Sequence, residues 1–149
     1  MKRTTYGGQL GRYFLHGIFY SILMSIMLLA WVYLFAILTA FGFIIGLVIG
    51  FVLLFVIMGA INAFVTENVW DVKIQASFGT DLAHGFVLFL ALLVVSFPVS
   101  IVFSYLVPTT DMNSFIIKYV IQLIILAFLD GYVAKNIAES FQVAGRRHV

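Results

Sequence analysis

The chain has 149 residues, of which 64% are hydrophobic and 9% charged, with a formal net charge of +2. A soluble domain usually carries about 45–50% apolar and about 25% charged residues, and a fold this small still exposes much of its surface, so lipid rather than water must solvate most of it. The absence of cysteine excludes disulfide scaffolds, thiolate metal sites and thiol nucleophiles, and basic residues that sit mostly toward the chain ends argue against a nucleic-acid partner.

Met1-Lys2-Arg3 resembles the basic start of a signal peptide, but the apolar run that follows outlasts a signal core of about 7–15 residues. It is expected to be retained as the first helix. From Phe14 to Val65 the only clearly polar residues are His16, Ser21, Ser25, Thr39 and Asn62. As one helix this stretch would extend roughly 78 Å, against a hydrocarbon core of about 30 Å. It must fold back, and Thr39-Ala40-Phe41-Gly42 is the best turn, with a glycine to relieve strain. Helices over 14–38 and 42–64 follow. The polar stretch from Thr66 to Asp81 carries four charges and is expected outside the membrane.

A third helix is expected over 82–106, bent by Pro98 and stopped by Pro108. The segment Thr109–Ser114 reads as a loop, with Ser114 as cap for a fourth helix over 115–134. Residues 135–143 continue it along the membrane surface. The fold class is therefore all-α: a single transmembrane domain over residues 1–149, an integral membrane four-helix bundle.

Orientation follows the distribution of lysine and arginine. Lys2, Arg3, Arg12, Lys73, Lys135, Arg146 and Arg147 fall on one side and Lys118 alone on the other, one turn into the fourth helix, where it could snorkel outward. Both termini and the loop near Trp70 are expected in the cytoplasm, in a multi-pass protein of the cell membrane. Tyr13, Trp70, Tyr105 and Tyr132 lie near helix ends, as an interfacial aromatic belt requires.

The two halves carry signs of repetition. Leu15-His16-Gly17-Ile18-Phe19 matches Ala83-His84-Gly85-Phe86-Val87 at an offset of 68, and Gly59 matches Gly131 and Glu67 matches Glu139 at an offset of 72. Two parallel helical hairpins related by an axis along the membrane normal would produce this pattern, and so would chance in a reduced alphabet.

Gly42, Gly46 and Gly50 form a GxxxGxxxG run, continued by Gly59, where another helix can approach closely. That helix can belong to this chain or to a neighbouring subunit. On the fourth helix Tyr119, Gln122 and Asp130 form a polar stripe of the kind that lines an ion path or bonds a neighbouring helix. Asp130 lies roughly 22 Å along the helix from Phe115, near the membrane boundary, which argues against a rotary-ATPase proteolipid. His16 and His84 begin equivalent helices and could meet across the pseudo-axis. With Glu67 or Asp130 they could hold zinc or copper, and Met24 and Met27 offer soft donors, although packing is the simpler role for both pairs. No cofactor is expected. No nucleophile–base pair, phosphate-cradling loop or HExxH spacing occurs, so no catalytic residues are assigned and the chain is not expected to be an enzyme by itself.

The segments Gly11-Arg12-Tyr13-Phe14-Leu15-His16-Gly17, Gly42-Phe43-Ile44-Ile45-Gly46, Gly59-Ala60-Ile61-Asn62 and Trp70 resemble small, uncharacterised archaeal tetraspan membrane proteins. The chain also resembles accessory subunits of the archaeal ammonia monooxygenase complex. That resemblance implies copper chemistry in other subunits and a stabilising role here. The expected function is a non-catalytic accessory or structural subunit, with the lipid bilayer and other membrane subunits as partners and the glycine-lined second helix as contact. The alternative is a small oligomeric transporter or channel using the Tyr119–Gln122–Asp130 stripe.

Overall fold

The computed structural model describes residues 6–75, 77–106 and 111–141. Four helices follow one another: α1 (Tyr6–Phe41), α2 (Phe43–Trp70), α3 (Phe78–Leu106) and α4 (Met112–Ser140). Each is long and apolar enough to cross a membrane, and together they form an all-α four-helix bundle. The starts of α1 and α3 and the ends of α2 and α4 share one end of the bundle, here called proximal. The α1–α2 turn and the α3–α4 connection lie at the distal end.

Three helices run past their expected limits at the proximal end: α1 starts at Tyr6 rather than 14, α2 continues to Trp70 rather than 64, and α3 starts at Phe78 rather than 82. α4 continues to Ser140, within the continuation expected over 135–143. The physical reason is that polarity ends a membrane span without ending a helix. Thr66 is fully buried against the bundle, and Asn68 donates to the Phe64 carbonyl at 2.7 Å, so the polar end of α2 keeps both helical bonding and packing. α2 stops at Asp71, which adopts the left-handed conformation (φ 58°, ψ 34°) and returns its N–H to the Glu67 carbonyl. The continuation of α4 belongs to the bundle, since Ala138 is fully buried.

At the distal end a single residue joins α1 to α2. Gly42 has φ 158° and ψ 115°, a backbone state that side chains disfavour, which is why the hairpin is so tight. α3 carries Pro98 inside an unbroken helix. Pro108 and its neighbours lie outside the described residues. α4 is capped by Asp111, not Ser114. The Ser114 N–H donates to Asp111 Oδ1 at 2.7 Å and the Asp111 N–H donates to Ser114 Oγ at 3.1 Å. Ser114 is thus the third helical position of a capping box.

The helix contacts obey the offsets of the repeat. A methyl group on Gly17 would collide with the Ala127 carbonyl, and one on Gly85 with the Phe55 carbonyl. Likewise a methyl on Gly131 would strike the Tyr13 carbonyl, and one on Gly59 the Asp81 carbonyl. Each contact between α1 and α4 maps onto one between α3 and α2 by the offsets of 68 and 72, so the two glycine-lined crossings are pseudo-equivalent. Backbones meeting this closely gain dispersion contacts that lipid cannot match.

Burial is concentrated proximally. α1 buries His16, Gly17, Tyr20 and Met24 and α3 buries Asp81, His84, Gly85 and Leu88, with no buried residue beyond those points in either helix. Distally the two hairpins hold mainly within themselves. Trp31 donates its indole N–H to the Gly50 carbonyl at 2.8 Å and stacks on Phe35, whose ring covers Gly50.

Candidate functional site

The buried centre of the proximal half is a chain of hydrogen bonds through two histidines. His16, on α1, and His84, on α3, are both fully buried, as is Asn62 of α2. Trp70 Nε1 donates to His16 Nδ1 at 2.9 Å. His16 Nε2 lies 2.8 Å from Asn62 Oδ1, and Asn62 Nδ2 lies 2.8 Å from His84 Nε2 and 2.9 Å from the Ala134 carbonyl of α4. One asparagine thus ties together all four helices.

The sense of these bonds follows from which groups can only donate. An indole N–H only donates, so His16 Nδ1 accepts and its Nε2 carries the hydrogen, which goes to Asn62 Oδ1. The Asn62 amide then spends both hydrogens, one on Ala134 and one on His84 Nε2. That nitrogen must accept, which leaves the hydrogen of a neutral His84 on Nδ1. This Nδ1 is buried without a hydrogen-bond partner among the described residues, and the ring stacks on Phe141 at 4.9 Å. Every bond in the chain is satisfied when both imidazoles are neutral and in opposite tautomers.

Sequence reasoning singled out both histidines but not the residue that joins them. Asn62 enters the sequence reading as a polar interruption in an apolar run and as the end of the Gly59–Asn62 segment, with no role of its own. Its signal was available in the repeat, because the offset of 72 pairs it with Ala134. An asparagine without a counterpart, on a pseudo-symmetric bundle, can sit near the axis and serve both halves.

The weighed metal ligands are not assembled. Glu67 pairs with Lys73 at 3.7 Å on the exposed surface, and Asp130 bonds to Ser96. Met24 packs in the core while Met27 is exposed. Among the described residues no group of three histidine, aspartate or glutamate side chains is placed to hold a metal ion.

The polar stripe of α4 divides. Asp130 Oδ1 accepts from Ser96 Oγ at 2.6 Å, and Gln122 Nε2 donates to Ser100 Oγ at 3.1 Å, so both join α4 to α3. Tyr119 is half exposed and packs on Phe115 instead. The serines were missed, although Ser96, Ser100 and Ser104 recur every four residues on one face of α3. Ser100 and Ser104 also donate to the carbonyl one turn earlier. Lys118 does not snorkel outward: it is 9% exposed, and no carboxylate pairs with it among the described residues.

The glycines marked for helix packing are used inside the chain. Gly46 lies against the α1 backbone at Leu38 and Thr39, Gly50 beneath Phe35, and Gly59 against Asp81 of α3, while Gly42 forms the turn.

At the proximal rim, aromatic and basic side chains from α1 and α4 gather at Trp70 of α2. Its ring centre is 4.7 Å from that of Tyr13, and Tyr13 meets Tyr132 at 5.4 Å. The Arg12 guanidinium lies 5.8 Å from the indole centre and the Lys135 ammonium 5.4 Å from it.

Comparison of the chain with protein-family models, with curated proteins and with solved structures finds no match.

Proposed function

We propose that this chain is a non-catalytic structural or accessory subunit of a multi-subunit membrane complex, a multi-pass protein of the cell membrane with both termini in the cytoplasm. The observation that carries this reading is how the intramembrane polar groups are used. His16, Asn62 and His84 bond across the helices of the chain itself, as do Gln122 and Asp130. Polar side chains arranged in this way fasten a bundle and fix its register. The glycine contacts, expected to face a neighbour, fasten it further.

What remains for partners is the distal surface. Phe43, Ile44 and Ile45 of α2 and Val94 and Phe97 of α3 are each more than half exposed, and they offer bulky side chains for packing against other membrane helices. The resemblance to accessory subunits of the archaeal ammonia monooxygenase complex agrees with this role. Purification of the native protein in mild detergent tests it. Stoichiometric recovery of other membrane subunits is the expected result, and a homogeneous species free of partners would overturn the proposal.

A second reading, a small oligomeric transporter or channel, draws on the bonds from Asp130 to Ser96 and from Gln122 to Ser100. A carboxylate and amide joined to hydroxyls within a span can relay ions or protons. Asp130→Asn in liposome flux assays should abolish transport on this reading, and no flux by the unaltered protein would remove it.

A further inference from the structure

We infer that the proximal corner around Trp70 is a binding site for a phosphate group, one that a membrane lipid headgroup would present at that depth. The inference is independent of the proposed function, because it needs only that the ends of the spans lie at a membrane surface.

The corner is built from α1, α2 and α4. Trp70 is the last residue of α2, and its indole N–H is committed inward to His16. The ring is therefore fixed and has no donor left for a ligand, so it acts as a platform. Two cations rest against it, Arg12 from α1 and Lys135 from α4, both within 6 Å of its centre. Tyr13 packs beside it and Tyr132 packs on Tyr13, at the level where amphipathic rings accompany headgroups.

The two cations at this corner are held differently. Lys135 is held by Glu139 at 2.7 Å, with its side chain 15% exposed. Arg12 is exposed and has no carboxylate within salt-bridge distance among the described residues. Arg12 therefore keeps free a planar fork of donors that matches phosphate oxygens two at a time. Lys135, already positioned, supplies a second point of attraction. A basic cluster between helices at the membrane surface is the usual form of a site for anionic lipid headgroups.

The chain contains two tryptophans, so Trp31→Phe leaves Trp70 as the only indole. This full-length variant is placed in nanodiscs of phosphatidylcholine with a minor share of phosphatidylglycerol, and bromine, which quenches indole fluorescence at close range, is carried by one lipid or the other. A headgroup site predicts that brominated phosphatidylglycerol quenches Trp70 as though enriched about fivefold over its bulk share. The enrichment should disappear in Arg12→Gln combined with Lys135→Gln and persist in Lys73→Gln, whose target is exposed and lies on the α2–α3 connection. A parallel titration of inorganic phosphate, in phosphatidylcholine discs at constant ionic strength, tests the free anion. A saturable change in Trp70 emission that needs Arg12 and Lys135 would assign the site to soluble phosphate. Equal quenching by both lipids with no response to phosphate overturns the inference. So does a lipid preference that Lys73→Gln lowers as much as the Arg12 and Lys135 changes do, because that is the signature of diffuse surface charge.

Discussion

Asn62 has one acceptor and two donor hydrogens, and all three are used: the oxygen faces His16, and the amide faces His84 and the Ala134 carbonyl. Turning the amide over would set its oxygen against the Ala134 carbonyl, so the amide orientation and both ring tautomers are determined together. Nitrogen-15 magnetic resonance should find His16 protonated on Nε2 and His84 on Nδ1. The same tautomer at both rings would refute the proposed bond sense. Asn62→Leu removes all three contacts from a fully buried position. At roughly 0.6 kcal/mol for each interhelical bond in a membrane, the loss is about 2 kcal/mol, to be read from reversible unfolding in mixed micelles. These two histidines were legible in the sequence because each opens a matched segment. The asparagine was not, because its importance depends on three helices converging on it, and no local pattern encodes that.

Among the elements, the pseudo-equivalent glycine crossings make a paired prediction. Gly17→Ala and Gly85→Ala each force a methyl group into a facing carbonyl, and each should destabilise the fold by about 1–3 kcal/mol, the usual range for overpacking. Gly11→Ala has open space around it and should be neutral or stabilising by about 1 kcal/mol through helix propensity. Thermal unfolding of the three variants checks this, and equal melting points would deny that the crossings are tight. Capping makes a second prediction. The Ser114 N–H bound to Asp111 holds that carboxyl below its ordinary value of 3.8. A depressed carboxylate contributes stability that is fully present above its unfolded value and is lost as pH falls through the lower folded one. Hydrogen exchange in the first turn of α4 should therefore quicken only below pH 3.8, after correction for intrinsic exchange, and Asp111→Asn should remove that dependence. Four spans were legible because apolar length alone requires them. Their proximal ends were not, since Thr66–Trp70 reads as a loop by polarity, yet Thr66 is buried and Trp70 reaches back to His16.

At the scale of the whole molecule, packing is unequal along the bundle. The proximal half is tied by the asparagine, two glycine crossings and the aromatic rim, while distally each hairpin is bonded mostly to itself. Such a molecule is tightly packed where α1 and α3 begin and α2 and α4 end, and leaves bulky side chains free at the other end, which suits a subunit that presents its distal helices to partners. The proposed orientation puts the proximal end in the cytoplasm. Arg12, Lys73 and Lys135 lie at the proximal end, and basic residues are retained on the cytoplasmic side during insertion. Among the described residues Lys118, buried toward the distal end, is the one basic residue placed against the rule, and its burial within α4 sets it apart from the loop charge that governs orientation. The chain has no cysteine, so single substitutions give labelling without background. Lys73→Cys should react with a membrane-impermeant maleimide only after cells are opened, and Asn113→Cys should react in intact cells. The reverse pattern would invert the protein and place Trp70, Arg12 and Lys135 on the outer surface. Labelling of both sites from one side would break the four-span topology itself, because α3 is the one helix between Lys73 and Asn113 and a single crossing puts them on opposite sides.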